Sequence, residues 1–416
     1  MIGNLFYLCP SCSGEDCLYP KGDFILCQNC FKSFPFKNNH ILFDDKEYSL
    51  SQFYDLIRSH LLFKKNHSAK ILRISKRARL RQGRKKIIYH GHDHFISIIE
   101  SPVEVDTGDL VFQKEFFIFR GEEKQWIFPK NKITGYTTDS KYFEFKLKGK
   151  SFYQIYFEDE SPLKYEDLFT DWYRMDASNT PVIEHQPKIT HQMPKLPSQI
   201  LTEHEIDNWD SREKFTINEY LLHVLIGYPI VRFLKWYSKL TFRNEKLIPE
   251  RGPFILLMNH ASYLDPIIIS TLLRRRIAFF TKSTSFANRF LQPIFRAYRS
   301  LPNRRYEIDP QVLRHAIRIL KKGNCIGIFP EGERTWSGSL LPFKYSSIKF
   351  LMSVQIPIVL ITIRGTFKVL PRWRHKIYPG RIEIDVLKYF SLIPGKWQIE
   401  DLKKELESYF KENLGL

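Results

Sequence analysis

His260 and Asp265, in the run Asn259-His260-Ala261-Ser262-Tyr263-Leu264-Asp265-Pro266, are the pair in this chain best suited to acid–base chemistry. Phe254 to Met258 before them is continuously apolar, the pattern of a short strand buried on both faces. Pro266 stands where a helix begins, with Asp265 as its expected N-cap. His260 therefore falls in a loop between a buried strand and a helix, where the carboxylate can fold back onto the imidazole. A carboxylate bonded to one ring nitrogen fixes the tautomer and makes the other nitrogen a better base. Deprotonating an alcohol requires such a base. A second group, Phe329-Pro330-Glu331-Gly332-Glu333-Arg334, follows the apolar run Cys325 to Ile328. A guanidinium at a strand's C-terminal edge suits a phosphate, because its fork donates two parallel hydrogen bonds.

These two groups, 71 residues apart from His260 to Glu331, resemble in kind and order the motifs of the glycerophospholipid acyltransferase family typified by 1-acylglycerol-3-phosphate acyltransferase. That family carries Asn-His-x4-Asp first and Phe-Pro-Glu-Gly-x-Arg later. Either motif alone is unspecific; the ordered pair is not. The resemblance covers about Phe242 to Phe390. It implies His260 as general base, Asp265 as its orienting carboxylate, and Asn259, Lys282, Glu331, Gly332 and Arg334 around the acceptor headgroup. The family's Gly-x5-Arg element has no glycine counterpart in Tyr298-Arg299-Ser300-Leu301-Pro302-Asn303-Arg304-Arg305, so Arg304 or Arg305 fills its place, with the register open. The implied activity is transfer of a fatty acyl group from acyl-CoA or acyl-carrier protein to the hydroxyl of a lysophospholipid, with no catalytic metal. Other acceptors, glycerol 3-phosphate or an aminolipid, remain alternatives. A non-catalytic membrane or nucleic-acid adaptor is the rival from another class, and an intact His260–Asp265 pair speaks against it.

Near the start, Cys9-Pro-Ser-Cys12 and Cys27-Gln-Asn-Cys30 are two Cys-x2-Cys knuckles fourteen residues apart. Four thiolates so spaced can surround a tetrahedral Zn²⁺, and the pattern resembles a zinc ribbon. The expected ion is structural, with Cys17 as a spare thiol. Six cysteines fit a reducing compartment better than a disulfide framework.

The 64 Lys and Arg against 45 acids give a formal charge of +19, which favours anionic partners. Membrane lipids are the expected ones and nucleic acid is not. No run is apolar and long enough to cross a bilayer, and no cationic start precedes an apolar core at the N-terminus. The expectation is a peripheral or monotopic protein on the cytoplasmic face of a membrane, not secreted.

The supporting elements divide the chain into five expected parts. Residues 1–45 form the ribbon. Residues 46–86 form a helix, Ser49 to Leu62, and a basic linker with eleven Lys or Arg and no acid from Lys64 to Lys86. Residues 87–175 form a β-rich domain, loosely like a pleckstrin-homology or GRAM barrel, whose strands alternate at Phe143, Phe145 and Leu147 before a closing helix. His90, His92 and His94 share one strand face there, without an acidic or cysteine partner at metal-ligand spacing. Residues 176–213 are a proline-bearing linker. Residues 214–416 are an α/β domain with a largely parallel sheet, entered through amphipathic helices over Ile217 to Leu240. Arg232, Lys235, Trp236 and Tyr237 at their end suit a lipid–water interface as well as a packing helix.

Overall fold

The structure is a computed structural model, and it describes residues 5–37, 40–65, 71–91, 95–113, 115–176, 221, 223–273, 275–304, 309–373, 376–393 and 395–415. The chain divides into two compact units, one of Met1–Lys85 with Glu100–Ile189, the other of Lys86–Ile99 with Thr190–Leu416.

The first unit holds two antiparallel sheets. Strands β1 (Leu18–Lys21), β2 (Phe24–Cys27), β3 (Ser33–Lys37), β4 (His40–Phe43) and β5 (Lys46–Ser49) form a meander in sequence order, followed by helix α1 (Leu50–Lys65). Before β1, Leu8 makes an isolated bridge with Glu15. The second sheet takes β6 (Ile71–His90) and β7 (Ile96–Gln113), whose residues Lys86–His90 and Ile96–Ile99 belong to the second unit, with β8 (Phe116–Gly121), β9 (Gln125–Pro129), β10 (Ile133–Thr138), β11 (Tyr142–Leu147) and β12 (Phe152–Tyr156). Its order β10-β11-β12-β6-β7-β8-β9 is a three-stranded meander joined to a four-stranded one through β12 and β6. Helix α2 (Pro162–Asp176) lays Phe169 against Phe117, Phe143 and Tyr136, closing an aromatic core.

Two expectations change here. Much of the basic linker is β6, so the boundary placed between 86 and 87 falls inside a strand. The ribbon is not separate either. Tyr7 donates a 2.7 Å hydrogen bond to Asp167 on α2, and Asp16 accepts from the backbone of Ser161 and pairs with Lys164. The linker at 176–213, apart from Asp176 at the end of α2, lies outside the described residues, as do His92 and His94.

The second unit carries the α/β domain. After a π-helical turn at His223–Gly227 comes α3 (Tyr228–Tyr237), with Pro229 in its first turn, where a missing N–H costs nothing. The remaining elements are β13 (Thr241–Arg243), β14 (Ile255–Met258), α4 (Leu264–Leu272), β15 (Ile277–Lys282), α5 (Gln292–Ala297), β16 (Leu301–Asn303), α6 (Pro310–Lys321), β17 (Cys325–Ile328), α7 (Tyr345–Val354), β18 (Ile358–Arg364), α8 (Thr366–Val369), β19 (Glu383–Phe390) and α9 (Ile399–Leu414). The sheet order is β13-β19-β18-β14-β17-β15-β16, parallel throughout except where β18 meets β19. The largely parallel sheet is as expected. Its central strands bury both faces: Ile255, Leu257, Ile326 and Ile358 join the core formed with α6, α7 and α9, while Leu256, Met258, Val359 and Ile361 join the one formed with α3 and α4. Continuous apolar runs are what a strand covered on both sides needs. Asp309 caps α6, accepting from the N–H groups of Gln311 and Val312.

Candidate active site

The parallel strands β14 and β17 are neighbours, so the loops leaving their C-terminal ends lie side by side. This pairing brings residues 260 and 331 together across 71 positions of sequence. The His260 N–H donates to Glu331 Oε1 at 2.7 Å, and the Thr335 N–H donates to the His260 carbonyl at 3.1 Å. Glu331 Oε2 accepts from the Leu341 N–H at 2.9 Å. With both oxygens so engaged and the side chain buried, Glu331 holds the two loops in register; the expected headgroup contact is not its place here. Burial drives its carboxyl pKa well above the usual range, against the pull of those two N–H donors. Gly332 follows at φ +71°, a backbone conformation that glycine adopts without strain.

The His260 Nδ1–H donates to Asp265 Oδ2 at 2.9 Å, leaving Nε2 with the basic lone pair. The same oxygen accepts from the N–H groups of Ala261 and Ser262, each at 2.7 Å. Helix α4 begins at Leu264, so Asp265 sits inside the first turn and not at the N-cap. Its carboxylate reaches back and gathers the loop around the imidazole. The fold-back anticipated from the loop setting is present, from a different helical position. The ring of His260 stacks on Phe329 with centroids 4.0 Å apart. Burial, first, and the charges of Arg334 and Arg372 push the imidazole pKa below its usual value, against the raising effect of Asp265. The ring is therefore neutral, and able to accept a proton, at pH 7.

Arg334 lies with its guanidinium carbon 3.3 Å from the centre of the Tyr263 ring, between the two loops. Asn259 differs from its expected substrate-facing role. Its amide donates to the Ile363 carbonyl at 2.9 Å and accepts from the Ile363 N–H at 2.8 Å, locking β14 to β18. Lys282 ends β15 in register with Asn303 of β16. Arg304 donates to the Ile98 carbonyl at 2.6 Å and pairs with Asp309 at 3.7 Å, partners the sequence did not suggest. Arg305 lies outside the described residues.

In the first unit, Cys9, Cys12, Cys27 and Cys30 bring their sulfurs within 4.8 Å of one another. Cys9 and Cys30 sulfurs are 3.8 Å apart, Cys12 and Cys27 3.7 Å. Tetrahedral Zn–S bonds of about 2.3 Å separate sulfurs by about 3.8 Å, so the four thiols fit that ion. Cys17 is also close, 3.4 Å from the Cys27 sulfur, and its thiol donates to the Gly14 carbonyl.

Residues 239–364, which contain the histidine loop and the arginine turn, match the family model described as Acyltransferase. This segment is an acyltransferase-family domain. The chain is also similar to several curated proteins. A 1-acyl-sn-glycerol-3-phosphate acyltransferase of Cocos nucifera is 28% identical over 44% of this chain and 60% of its own length. The enzyme of that name from Bacillus subtilis is 24% identical over 29% of this chain and 61% of its own. 1-acyl-sn-glycerol-3-phosphate acyltransferase beta of Homo sapiens is 25% identical over 39% of this chain and 60% of its own. The chain thus spans about three fifths of these relatives. The solved 1-acyl-sn-glycerophosphate (LPA) acyltransferase PlsC from Thermotoga maritima is 23% identical, with a TM-score of 0.41, over 50% of this chain and 84% of that one.

Sequence reasoning missed two side chains of the acyltransferase site. Tyr263 stands within the first motif with no sequence signal of a role, yet it is the platform for Arg334. Arg372 is the second. Its signal is slight, a cation between Pro371 and Trp373 well beyond the second motif.

Proposed function

We propose that this protein is an O-acyltransferase working at a membrane surface, moving a fatty acyl group from acyl-CoA or acyl-carrier protein to the hydroxyl of a lysophospholipid such as 1-acylglycerol 3-phosphate. The observation that carries this reading is the 2.9 Å bond between His260 Nδ1 and Asp265, which leaves a neutral Nε2 as base beside Arg334. His260 Nε2 takes the acceptor's hydroxyl proton as its oxygen attacks the thioester carbonyl. The tetrahedral adduct then collapses, the C–S bond breaks, and the imidazolium returns the proton to the leaving thiolate. Asp265 holds the tautomer and balances the transient imidazolium. Arg334 grips the acceptor phosphate, and Lys282 adds charge at the same end of the sheet. Held in this way, the hydroxyl need not find the thioester by diffusion, and positioning supplies much of the rate.

The membrane part of the reading rests on α3 and the turn before it. Leu225, Tyr228, Phe233 and Trp236 are exposed there, Trp236 at 78%, beside Arg232 and Lys235. Aromatic and cationic side chains together suit the headgroup boundary of an anionic bilayer. Among the described residues no helix is long and apolar enough to cross one. Cys9, Cys12, Cys27 and Cys30 are assigned to one structural Zn²⁺, which supplies folding free energy to a segment with little core of its own.

The test is incubation of purified protein with a labelled acyl donor and a panel of lysolipids. Acylation of phosphate-bearing acceptors supports the reading. Binding to anionic vesicles without turnover of any acceptor would make the chain an adaptor instead.

A further inference from the structure

We propose that Arg372 is a positioning residue of the acyl-transfer site: it fixes the arginine turn after β17, which carries Arg334 and is tied through Thr335 to the His260 loop. The side chain is only 1% exposed. One guanidinium nitrogen, Nη1, donates both to Glu333 Oε2 at 3.1 Å and to the Arg334 carbonyl at 2.8 Å. The guanidinium carbon lies 4.2 Å from the centre of the Trp336 ring. Arg372 therefore touches three of the four residues from Glu333 to Trp336, which is the segment that presents Arg334 to Tyr263 and ties Thr335 to the His260 carbonyl.

A planar cation of this kind can donate to a carboxylate and a carbonyl while stacking on an indole; an ammonium has no plane to stack. The charge also has a direction of action. The titratable and charged groups around the imidazole are Asp265 from α4, Arg334 from the turn, and Arg372 from the loop after α8, with Glu331 and Glu333 on the same turn. Asp265 favours the imidazolium, while Arg334 and Arg372 disfavour it. Removing the charge at 372 takes away one of the two cations opposing protonation of His260. Its pKa must then rise, and less of the base is available just below neutrality.

The kinetic half of this inference rests on the acyl-transfer reading, so the experiment has an arm that does not. Arg372→Gln keeps hydrogen-bond donors without the charge; Arg372→Lys keeps the charge without the fork. The His260 imidazole is titrated by NMR in histidine-labelled protein, its signal assigned by loss in His260→Gln. In parallel, kcat/KM is measured for lysophosphatidate and for a neutral monoacylglycerol. The titration of His260 should move to higher pH in Arg372→Gln and stay near wild type in Arg372→Lys. Both variants should lose about tenfold to a hundredfold in kcat/KM on lysophosphatidate, the scale of an ångström's misplacement of the turn, and less on the neutral acceptor.

An unmoved His260 titration in a folded Arg372→Gln overturns the electrostatic role. Equal losses on both acceptors reduce Arg372 to a packing residue of the Trp336 cluster, and Arg372→Lys alone decides this if the Gln variant does not fold. If wild type acylates nothing, the acyl-transfer reading fails, and the titration still decides whether Arg372 governs His260.

Discussion

At the residue scale, the site separates groups that do chemistry from groups that hold them. Asp265 does both, because one oxygen serves the imidazole and two backbone N–H groups. In Asp265→Asn the amide carbonyl can still accept from the loop, so the fold should survive while kcat falls. The pH profile gives a second reading. A His260 pKa held below the ordinary imidazole value of about 6.5 means that the base is fully present at neutral pH and lost as pH falls through that lower value. Removing the carboxylate removes the interaction that raises this pKa, so the acidic limb of kcat/KM in Asp265→Asn should move to still lower pH. An acidic limb at or above the ordinary imidazole value in wild type would contradict this electrostatic balance. Arg334→Lys keeps charge but loses the fork, and should raise KM on phosphate-bearing acceptors far more than on a neutral monoacylglycerol. Equal effects would make Arg334 a structural partner of Tyr263.

At the element scale, the lesson is how far local pattern specifies placement. The apolar run 254–258 and the asparagine after it are legible as a buried strand and its loop, but the partner of Asn259 is not. That partner, the backbone of Ile363, is 104 residues away and is brought close only by strand pairing. Asn259→Ala should destabilise the protein by about 2 kcal/mol or more, measured by denaturant unfolding, because it strands a buried N–H and a buried carbonyl. The basic stretch within β6 was harder to read. Ser75, Ala78 and Leu80 point inward, but Arg77 takes φ +56° between them and breaks the two-residue period. Eight cations within β6 then hide a strand behind the composition of a linker. The helix after His260 starts at Leu264, earlier than Asp265 as N-cap implies, because Pro266 fits the first turn of either start.

At the scale of the whole molecule, the first unit joins the cysteine knuckles to the β sheet through α2. Tyr7, two residues before Cys9, and Asp16, next to Cys17, both bond to residues on or beside that helix. Metal removal should therefore reach beyond the ribbon. Chelation is expected to raise amide hydrogen exchange across residues 5–45 and in α2, while β14 keeps its protection. Zinc well below one per chain in carefully purified protein would contradict the assignment. The ordered pair of motifs made the acyltransferase domain legible, since chemistry needs particular side chains at particular spacings. The way the ribbon is held was not legible, since it depends on single long-range bonds. The account as a whole stands on His260 as a base, and the most direct test is acyl transfer by His260→Ala beside wild type, using labelled donor and lysophosphatidate. A folded variant that still binds lipid vesicles should lose about 10² to 10⁴ in kcat. Turnover equal to wild type in that variant would remove His260 from the reaction and contradict the account.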